Sequence, residues 1–374
     1  MPAMAHGRIL LFVEDPGAAN FIAPALKDLT AAGWQIELCA AGLASAFLSD
    51  RGIAASTVPS GRDAANYLKE SSPDILMVGT AENPDTFAFA LTQAARDAGI
   101  PSIGFVDGPA NAQHRFRGQS TDPLMHATDW LILPDDHTAD LFMALRHPRA
   151  RIAVTGHPYY DIVSTEAAQL REQPVAKHRA STLGEIPAGR PVIVFLGEGS
   201  DGLGMDIKRR SSDYTLTGRG KSERRTEIVL EEFLDAVDTL DCDPYLVFRA
   251  HPKDPASNYG PYMDRFDATS EGGQPLQLLF AADLVVGLST SLLVEAALAG
   301  LKTLSILPAE SQKILISTVL QGLTPYATDR TTLRTLLPQV LNEAVDKTRQ
   351  PPTSVEISAS AQVVKTVALI AGHA

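Results

Sequence analysis

The chain has 374 residues, of which 45% are apolar and 20% are charged, and its formal net charge at pH 7 is −12. This length suits two domains of ordinary size, and the composition is typical of a globular protein. Because neutralising a nucleic-acid backbone needs clustered Lys and Arg, the acidic balance argues against a general nucleic-acid-binding role. It leaves room for a local basic pocket that binds one phosphorylated ligand.

Short apolar runs alternate with amphipathic segments of helical length through the first half of the chain. Helices are predicted at about 19–32, 41–52, 84–99 and 137–146. The strands predicted between them are RILLFVE (8–14), WQIELCA (34–40), DILMVG (74–79), PSIGFVD (101–107), DWLILPD (129–135) and ARIAVTG (150–156). Continuous apolar strands separated by helices of this length indicate a parallel sheet that is covered on both faces.

The alternation stops in a polar stretch at 165–190 and then starts again. Further strands are predicted at 190–198, 244–252, 282–289 and 302–307, and helices at 224–239, 291–300 and 359–372. The sequence therefore predicts an α/β protein with two doubly wound halves. Its predicted parts are an N-terminal domain (1–165), a linker (166–189), a C-terminal domain (190–355) and a last helix (356–374) that packs back on the first domain.

Several features bear on location and on metal binding. Cys39 and Cys242 are far apart in the sequence and lack metal-ligand spacing, which favours reduced thiols in a cytoplasmic protein. The N-terminus shows no small-residue cleavage site, so its apolar run is predicted to be a strand. The longest apolar stretch carries Asp283 and Glu295, which a membrane-spanning helix would not readily tolerate. We expect a cytoplasmic protein with no transmembrane segment and no metal, and peripheral membrane contact is compatible with this.

Polar motifs follow two strands of the first half. In open parallel sheets, ligands bind outside the carboxyl ends of the strands. The stretch VEDPGAANF (13–21) either presents backbone amides to an anion or is a turn capped by its aspartate, and its candidate residues are Asp15, Gly17 and Asn20. The stretch GFVDGPANAQHRF (104–116) places Asp107 where a base could reach a substrate, or where an Asp-Gly pair starts a turn. Asn111 and His114 follow closely and are further candidates.

The second half contains the run YLVFRAHPKD (245–254), which ends in a histidine. Pro252 restricts His251 to extended geometry. The imidazole can donate to a phosphate oxygen, and Arg249 or Lys253 can add positive charge. A lone histidine is more often structural, but its position after a strand favours phosphate binding.

Three hydroxyl residues, Ser289, Thr290 and Ser291, open the helix in GLSTSLLVEAALAG (287–300). The free amides and the positive end of a helix dipole favour a phosphate, and Glu295 lies one turn further along, where it could reach a ribose diol. The alternative is plain helix capping, which requires one hydroxyl and not three.

The loop between the strand at 190–198 and the helix at 224–239 is longer than a connection requires. Long loops in compact domains are usually functional or disordered. It is interpreted either as a mobile lid that closes on phosphates or as a solvated insertion, and its candidate cations are Lys208, Arg209, Arg210 and Arg219.

With these motifs in this order, the chain resembles the GT-B glycosyltransferases. That resemblance implies two facing Rossmann-like domains with a cleft between them. More narrowly, VDG (106–108), HP (251–252) and STS (289–291) resemble the motifs of bacterial sialyltransferase-like families and of CDP-glycerol glycerophosphotransferase relatives. Val106 departs from that pattern, which commonly has two acidic residues before the glycine. VTGHPYYD (154–161) is similar to the turn that ends the first domain of many GT-B proteins, so His157 is interpreted as a linker residue.

The resemblance implies a metal-independent glycosyltransferase that has no cofactor besides its nucleotide-sugar substrate. Asp107 would be the general base and His251 would hold the donor phosphate. The donor would be a nucleotide-sugar, with a CMP-linked nonulosonic acid as one candidate, and the acceptor a hydroxyl of a glycan, a lipid-linked molecule or a protein. The alternatives are a nucleotide-sugar 2-epimerase or hydrolase of the same fold, which needs several acid/base groups around the sugar, and a non-catalytic nucleotide-sugar-binding module.

Overall fold

The computed structural model describes residues 7–58, 61–81, 83–199, 209–346 and 358–372. The chain forms two compact units. Unit 1 comprises Met1–Ile162 and Val355–Ala374, and unit 2 comprises Val163–Ser354.

Each unit is built on a parallel sheet. The strands of unit 1 are β1 (Gly7–Val13), β2 (Trp34–Ala40), β3 (Ser56–Thr57), β4 (Ile75–Gly79), β5 (Ser102–Phe105), β6 (Trp130–Leu133) and β7 (Ile152–Val154). Those of unit 2 are β8 (Val192–Leu196), β9 (Tyr245–Arg249), β10 (Ala268–Ser270), β11 (Leu284–Gly287), β12 (Thr303–Ile306) and β13 (Tyr326–Ala327).

Helices connect most of the strands. Up to the start of unit 2 they are α1 (Pro16–Ile22), α2 (Leu26–Ala31), α3 (Gly42–Ser49), α4 (Ala64–Ser71), α5 (Phe87–Ala98), α6 (Asp136–Ala144) and α7 (Pro158–Arg171). The remainder are α8 (Val175–Thr182), α9 (Arg225–Val237), α10 (Gly260–Met263), α11 (Pro275–Ala281), α12 (Ser291–Leu298), α13 (Ser317–Leu320), α14 (Arg330–Asp346) and α15 (Ala359–Ile370). Of the helices in the described ranges, none has both the length and the apolar character needed to cross a membrane.

The two sheets share one strand order. It is β3-β2-β1-β4-β5-β6-β7 in unit 1 and β10-β9-β8-β11-β12-β13 in unit 2. Counted within each unit, both begin 3-2-1-4-5-6, which is the Rossmann order. The order reverses between β1 and β4 and between β8 and β11, and we call each of these places a switch point. Loops that follow the strands at a switch point diverge to opposite sides of the sheet and open a crevice for a ligand.

The first strand shows why these runs are continuously apolar. In β1, Ile9, Leu11 and Val13 pack into the core on one face of the sheet, while Leu10 and Phe12 pack into the core on the other. Side chains of a strand alternate between faces, so a strand covered on both sides needs an apolar residue at every position.

The last helix belongs to unit 1, as the sequence predicts. Val363 and Val367 of α15 are one turn apart and completely buried in the same core cluster as β1. Ser358 caps the helix by accepting a hydrogen bond from the amide of Ala361 (3.1 Å). Asp161 accepts hydrogen bonds from the first amides of the helix.

Two expected segments have a different local structure. The helix expected at about 19–32 is divided into α1, a 3₁₀ helix over Ala23–Ala25 and α2. Pro24 lies at this break, and its ring removes the backbone donor that a continuous α-helix requires there. The residues expected as a linker include the last six residues of α7 and the whole of α8, and Arg179 of α8 pairs with Asp283 at 2.6 Å.

Candidate functional site

A buried arginine organises the switch point of unit 2. Arg225 is the first residue of α9 and is 4% exposed. Its guanidinium donates to the carboxylate of Glu198 just after β8, to Oγ of Ser289 just after β11 (3.1 Å), and to Oε1 of Gln312 (2.7 Å). The backbone amide of Ser289 donates to the other carboxylate oxygen of Glu198. We call these four residues the Arg225 cluster.

Residues 251–254 form a turn, which we call the histidine turn, and it lies against Gly199, just after β8. Gly199 follows Glu198, and a Cβ added to it would lie 3.0 Å from Nδ1 of His251, so a larger residue at this position would crowd the ring. Nδ1 of His251 accepts a hydrogen bond from the amide of Lys253 (3.1 Å). In the neutral ring the proton is therefore on Nε2, which can donate to a ligand.

Asp254 fixes the shape of this turn. It is 3% exposed, and its carboxylate accepts hydrogen bonds from Arg224 (2.5 Å), the hydroxyl of Tyr259 (2.7 Å) and the side-chain amide of Asn258 (2.7 Å). Pro252 and Lys253 are exposed. The turn thus has a buried anchor at its end and an exposed cation beside the histidine.

Arg249 has a different environment from its neighbours in the motif. It is 8% exposed and donates to Oγ of Ser270 in β10 (2.9 Å). Burial lowers the pKa of its guanidinium, and nearby Glu271 opposes this effect. The positive charge nearest to solvent in this motif is that of Lys253.

The three hydroxyl residues before α12 have separate roles. Ser289 belongs to the Arg225 cluster, and Thr290 caps α12 by accepting from the amide of Leu292 (3.4 Å). Ser291 is the first helical residue and is exposed. One hydroxyl therefore does the capping, which leaves the other two for contacts outside the helix.

Glu295 lies on the buried side of α12 and is 8% exposed. Burial raises its pKa to about 7, and the like charge of Glu166 adds to the shift. In the described ranges no hydrogen bond or ion pair to its carboxyl group is formed. Its carboxyl group is therefore partly protonated near neutral pH and can both donate and accept a hydrogen bond.

The described part of the long loop contacts its own unit. Arg209 pairs with Arg224 in an isolated β-bridge. Arg210 donates to the carbonyl of Ser222 (3.1 Å), and Arg219 donates to Asp235 of α9 (2.7 Å). Lys208 lies outside the described residues. A lid role for these cations remains a prediction.

In unit 1, Asp107 lies after β5 and is paired with an arginine. Nη2 of Arg115 is 3.1 Å from Oδ1 of Asp107, and the same guanidinium donates to the carbonyl of Ala110 (3.0 Å) and the hydroxyl of Thr80 (3.2 Å). Oδ2 of Asp107 lies against Gly17 of α1, where an added Cβ would overlap it. Gly17 is thus a glycine because the carboxylate of Asp107 occupies the place of a side chain.

His157 is more than a connecting residue. It is 6% exposed, packs edge-on against Phe21 and stacks on Tyr160. Burial lowers its pKa to about 4, although the charge of Asp107 acts in the opposite direction. His157 is therefore a neutral imidazole at pH 7 in the electrostatic field of Asp107.

Two acceptor atoms at this edge of unit 1 are buried without a hydrogen-bond partner among the described residues: Oδ1 of Asn111 and Oε2 of Glu14. Asn111 has a left-handed backbone (φ 59°), and the other oxygen of Glu14 accepts from Asn83 after β4 (2.8 Å). Unused buried acceptors require an explanation, and hydroxyl or amino groups of a ligand would supply the donors.

The remaining candidate residues of unit 1 are close in the sequence to the residues just described. Asp15 directly precedes α1 and makes no side-chain capping bond to it. Asn20 lies within α1, where the amide of Ala19 already bonds the carbonyl of Asp15 (3.0 Å). Burial and Arg117 lower the pKa of His114.

The sequence did not single out Glu198, Arg225 or Asp254 as site residues. Glu198 comes directly after an apolar strand and lies between two glycines, so the rule that selected Asp107 would also have selected it. Arg225 opens a helix far from its partners in sequence, and no local pattern indicates them. Within the described ranges, no group of three or more His, Cys, Asp or Glu side chains is placed to hold a metal ion.

No protein-family model matches the sequence, and no curated protein matches it. The structure is similar to solved enzymes over nearly the whole chain. A UDP-GlcNAc 2-epimerase from Neisseria meningitidis bound to UDP-GlcNAc gives a TM-score of 0.64 at 15% identity, covering 96% of this chain and 99% of that one. A UDP-GlcNAc 2-epimerase from Methanocaldococcus jannaschii in complex with UDP-GlcNAc and UDP gives 0.63 at 12% identity, with 97% and 99% covered.

MurG from Acinetobacter baumannii gives a TM-score of 0.56 at 16% identity, with 96% and 99% covered. At these identities the likeness establishes the fold, which is that of the GT-B type with two Rossmann-like domains. The expected fold class is confirmed. The narrower resemblance to sialyltransferase-like and CDP-glycerol families remains a prediction.

The raised pKa of Glu295 predicts a pH-dependent loss of stability. Its pKa in the folded chain is about 7 against an ordinary 4.5, so the folded chain binds the proton more tightly and loses free energy of unfolding as pH rises through this window. The loss amounts to about 3 kcal/mol above pH 7. In urea denaturation, the free energy of unfolding of Glu295→Gln should lack this decline between about pH 4.5 and pH 7.

Glu166→Gln is the matched variant, because it removes only the like charge and should move the decline of stability to lower pH. Parallel pH profiles for the parent chain and Glu295→Gln would contradict the prediction.

The contact between Gly17 and Asp107 predicts that a side chain at position 17 destabilises the fold. Alanine is normally favoured over glycine in a helix by about 0.5–1 kcal/mol. At Gly17 it would collide with Asp107 and should cost about 1–3 kcal/mol of unfolding free energy, the usual range for overpacking. Gly108→Ala, where a Cβ meets nothing within 4 Å, is the control. Equal stabilities of the two variants would show that Asp107 moves away freely.

Proposed function

We propose that this chain is a nucleotide-sugar enzyme in which unit 2 binds the nucleotide phosphate and unit 1 carries acid/base groups. The observation that carries this proposal is that His251 and Ser289, two residues far apart in sequence, both lie against Glu198 and Gly199, just after β8, at the switch point of a Rossmann-order sheet. Ligands of such sheets bind at this place.

Each group has a role that its geometry supports. Nε2 of His251 donates to a phosphate oxygen, because Nδ1 already accepts from the backbone. Lys253 adds a positive charge, and the hydroxyls of Ser289 and Ser291 add donors. Glu295 holds the ribose hydroxyls.

Among reactions on a nucleotide-sugar, we favour epimerisation at C-2 or hydrolysis over transfer. The structures named above that match best in TM-score are UDP-GlcNAc 2-epimerases. Inverting a carbon requires removal of a proton and delivery of another, so several acid/base groups are needed. In unit 1, Glu14 and Asp15 directly follow β1, and Asp107 follows β5. The neutral imidazole of His157 lies in the electrostatic field of Asp107 in the same unit.

In this reaction, Asp107 is the base and Arg115 holds its carboxylate in place. The buried acceptors of Asn111 and Glu14 orient the sugar by accepting hydrogen bonds from its hydroxyl groups.

Transfer to an acceptor hydroxyl is the second candidate. MurG has the same fold, and the order of VDG, HP and STS resembles that of transferase families. A transferase would consume donor only when an acceptor is present, whereas an epimerase or hydrolase needs no acceptor.

The test is incubation of the full chain with UDP-GlcNAc in deuterated water, followed by NMR. We expect an epimeric sugar with deuterium at C-2, or free sugar and UDP. An unchanged substrate with this donor and with CMP-, CDP- and GDP-linked sugars, in the absence of acceptor, would contradict the favoured reaction. Turnover that appears only when an acceptor is added would favour transfer.

Asp107→Asn predicts a separation of chemistry from binding. The amide keeps the size of the side chain and removes its basicity, so turnover should fall about 100-fold or more, which is the scale for a lost general base. Nucleotide affinity, measured by calorimetry, should not change. Gly108→Ala serves as the neighbouring control, and parent-like turnover by Asp107→Asn would remove Asp107 from the mechanism.

Nucleotide binding should depend on the histidine turn. His251→Ala and Lys253→Ala should each weaken UDP binding by about 1.5–3 kcal/mol, the range for a hydrogen bond to a charged group. Lys69→Ala, an exposed lysine of α4 in unit 1, should leave the dissociation constant unchanged. Unaltered UDP affinity in both turn variants would place the phosphate elsewhere.

A further inference from the structure

The donors of the Arg225 cluster already hold an anion, which is the carboxylate of Glu198. One carboxylate oxygen accepts from the amide of Ser289 and the other from Arg225. The pair is secluded, with side-chain exposures of 5% for Arg225 and 13% for Glu198. Because Oγ of Ser289 accepts from Arg225, the hydroxyl hydrogen of Ser289 can be donated to a further acceptor.

A guanidinium binds carboxylate and phosphate oxygens in the same planar geometry. The groups that hold Glu198 would therefore suit a phosphate oxygen equally well, and they cannot hold both. A free phosphate ion that displaces Glu198 only replaces the ion pair and the hydrogen bonds that Glu198 gives up, so it makes no net gain in binding free energy. A nucleotide also contacts the histidine turn and Glu295, so it brings additional binding energy to the exchange.

We propose that Glu198 determines the specificity of this site: it is a resident anion that keeps small free anions away from Arg225 and gives way to the phosphate of a nucleotide. The nucleotide part deepens the proposed function and rests on it. The exclusion of free anions depends only on the Arg225 cluster.

A purely structural ion pair would behave differently when it is broken. Removing one partner of a buried pair leaves the other charge uncompensated and destabilises the fold. If the vacated place accepts external anions, added phosphate restores the lost stability in proportion to the logarithm of its concentration. If Glu198 only supports the loop, phosphate does not replace it.

The experiment compares the full-length parent chain with Glu198→Ala, Glu198→Gln and Glu227→Gln. Glu227 is a matched control, because it is a carboxylate on α9 with 18% side-chain exposure that pairs with the neighbouring Arg224 and not with Arg225. Thermal midpoints are measured in a series of inorganic phosphate concentrations, and UDP affinity is measured by calorimetry in a phosphate-free buffer.

We expect Glu198→Ala to unfold at a lower temperature than the parent and to regain stability as phosphate is added. Its apparent phosphate affinity should exceed that of the parent at least tenfold, and Glu227→Gln should match the parent. Glu198→Gln keeps an oxygen for the amide of Ser289 and lacks the charge, so it should bind UDP at least tenfold more tightly than the parent. If Glu198→Ala does not fold, Glu198→Gln provides both measurements.

A phosphate response equal in the Glu198 variants and in Glu227→Gln would overturn the proposal, and so would UDP affinity that is unchanged or weaker in Glu198→Gln. The two proposals fail separately. Phosphate rescue without UDP binding in any variant supports the anion exclusion and contradicts the nucleotide function. UDP binding that is the same in all variants supports the function and removes the role of Glu198.

Discussion

Two consecutive arginines at the start of α9 hold the site of unit 2 together. Arg224 binds Asp254 and so fixes the turn that carries His251. Arg225 binds Glu198 and Ser289 and so fixes the start of α12. A buried cation is tolerated only when its charge and its N–H groups are all satisfied. The partners therefore cannot move independently, and the position where α9 begins sets the geometry of both motifs.

Much of the fold could be predicted from the sequence, because buried parallel strands are apolar at every position. The run around β1 and the run around β9 were both found in this way. The short strands β3, β10 and β13 were not predicted, since none of them lies in a continuous apolar run. α14 was also missed, because Pro338 and the polar residues around it obscure its apolar face.

The site could be predicted only in part, and for a physical reason. The ends of parallel strands meet at one edge of a sheet, so Asp107, His251 and Ser289 could be proposed from their positions alone. Long-range ion pairs leave no mark in the sequence. Arg225 contacts Glu198 and Ser289 across 27 and 64 residues, and only the folded chain brings these groups together. The same holds for His157, whose pKa depends on burial that no local pattern reveals.

The outermost strands of both sheets are unusually short. In the described part of the chain, the edge strands β3 and β13 have two residues each, and β7 and β10 have three. A long exposed edge offers unpaired backbone groups on which a second polypeptide can add a strand and begin to aggregate. Parallel sheets form slowly, because their contacts join distant parts of the sequence. Because the edge strands are so short, they offer few backbone groups for such pairing while the sheets are forming. The chain therefore has some protection against self-association during folding.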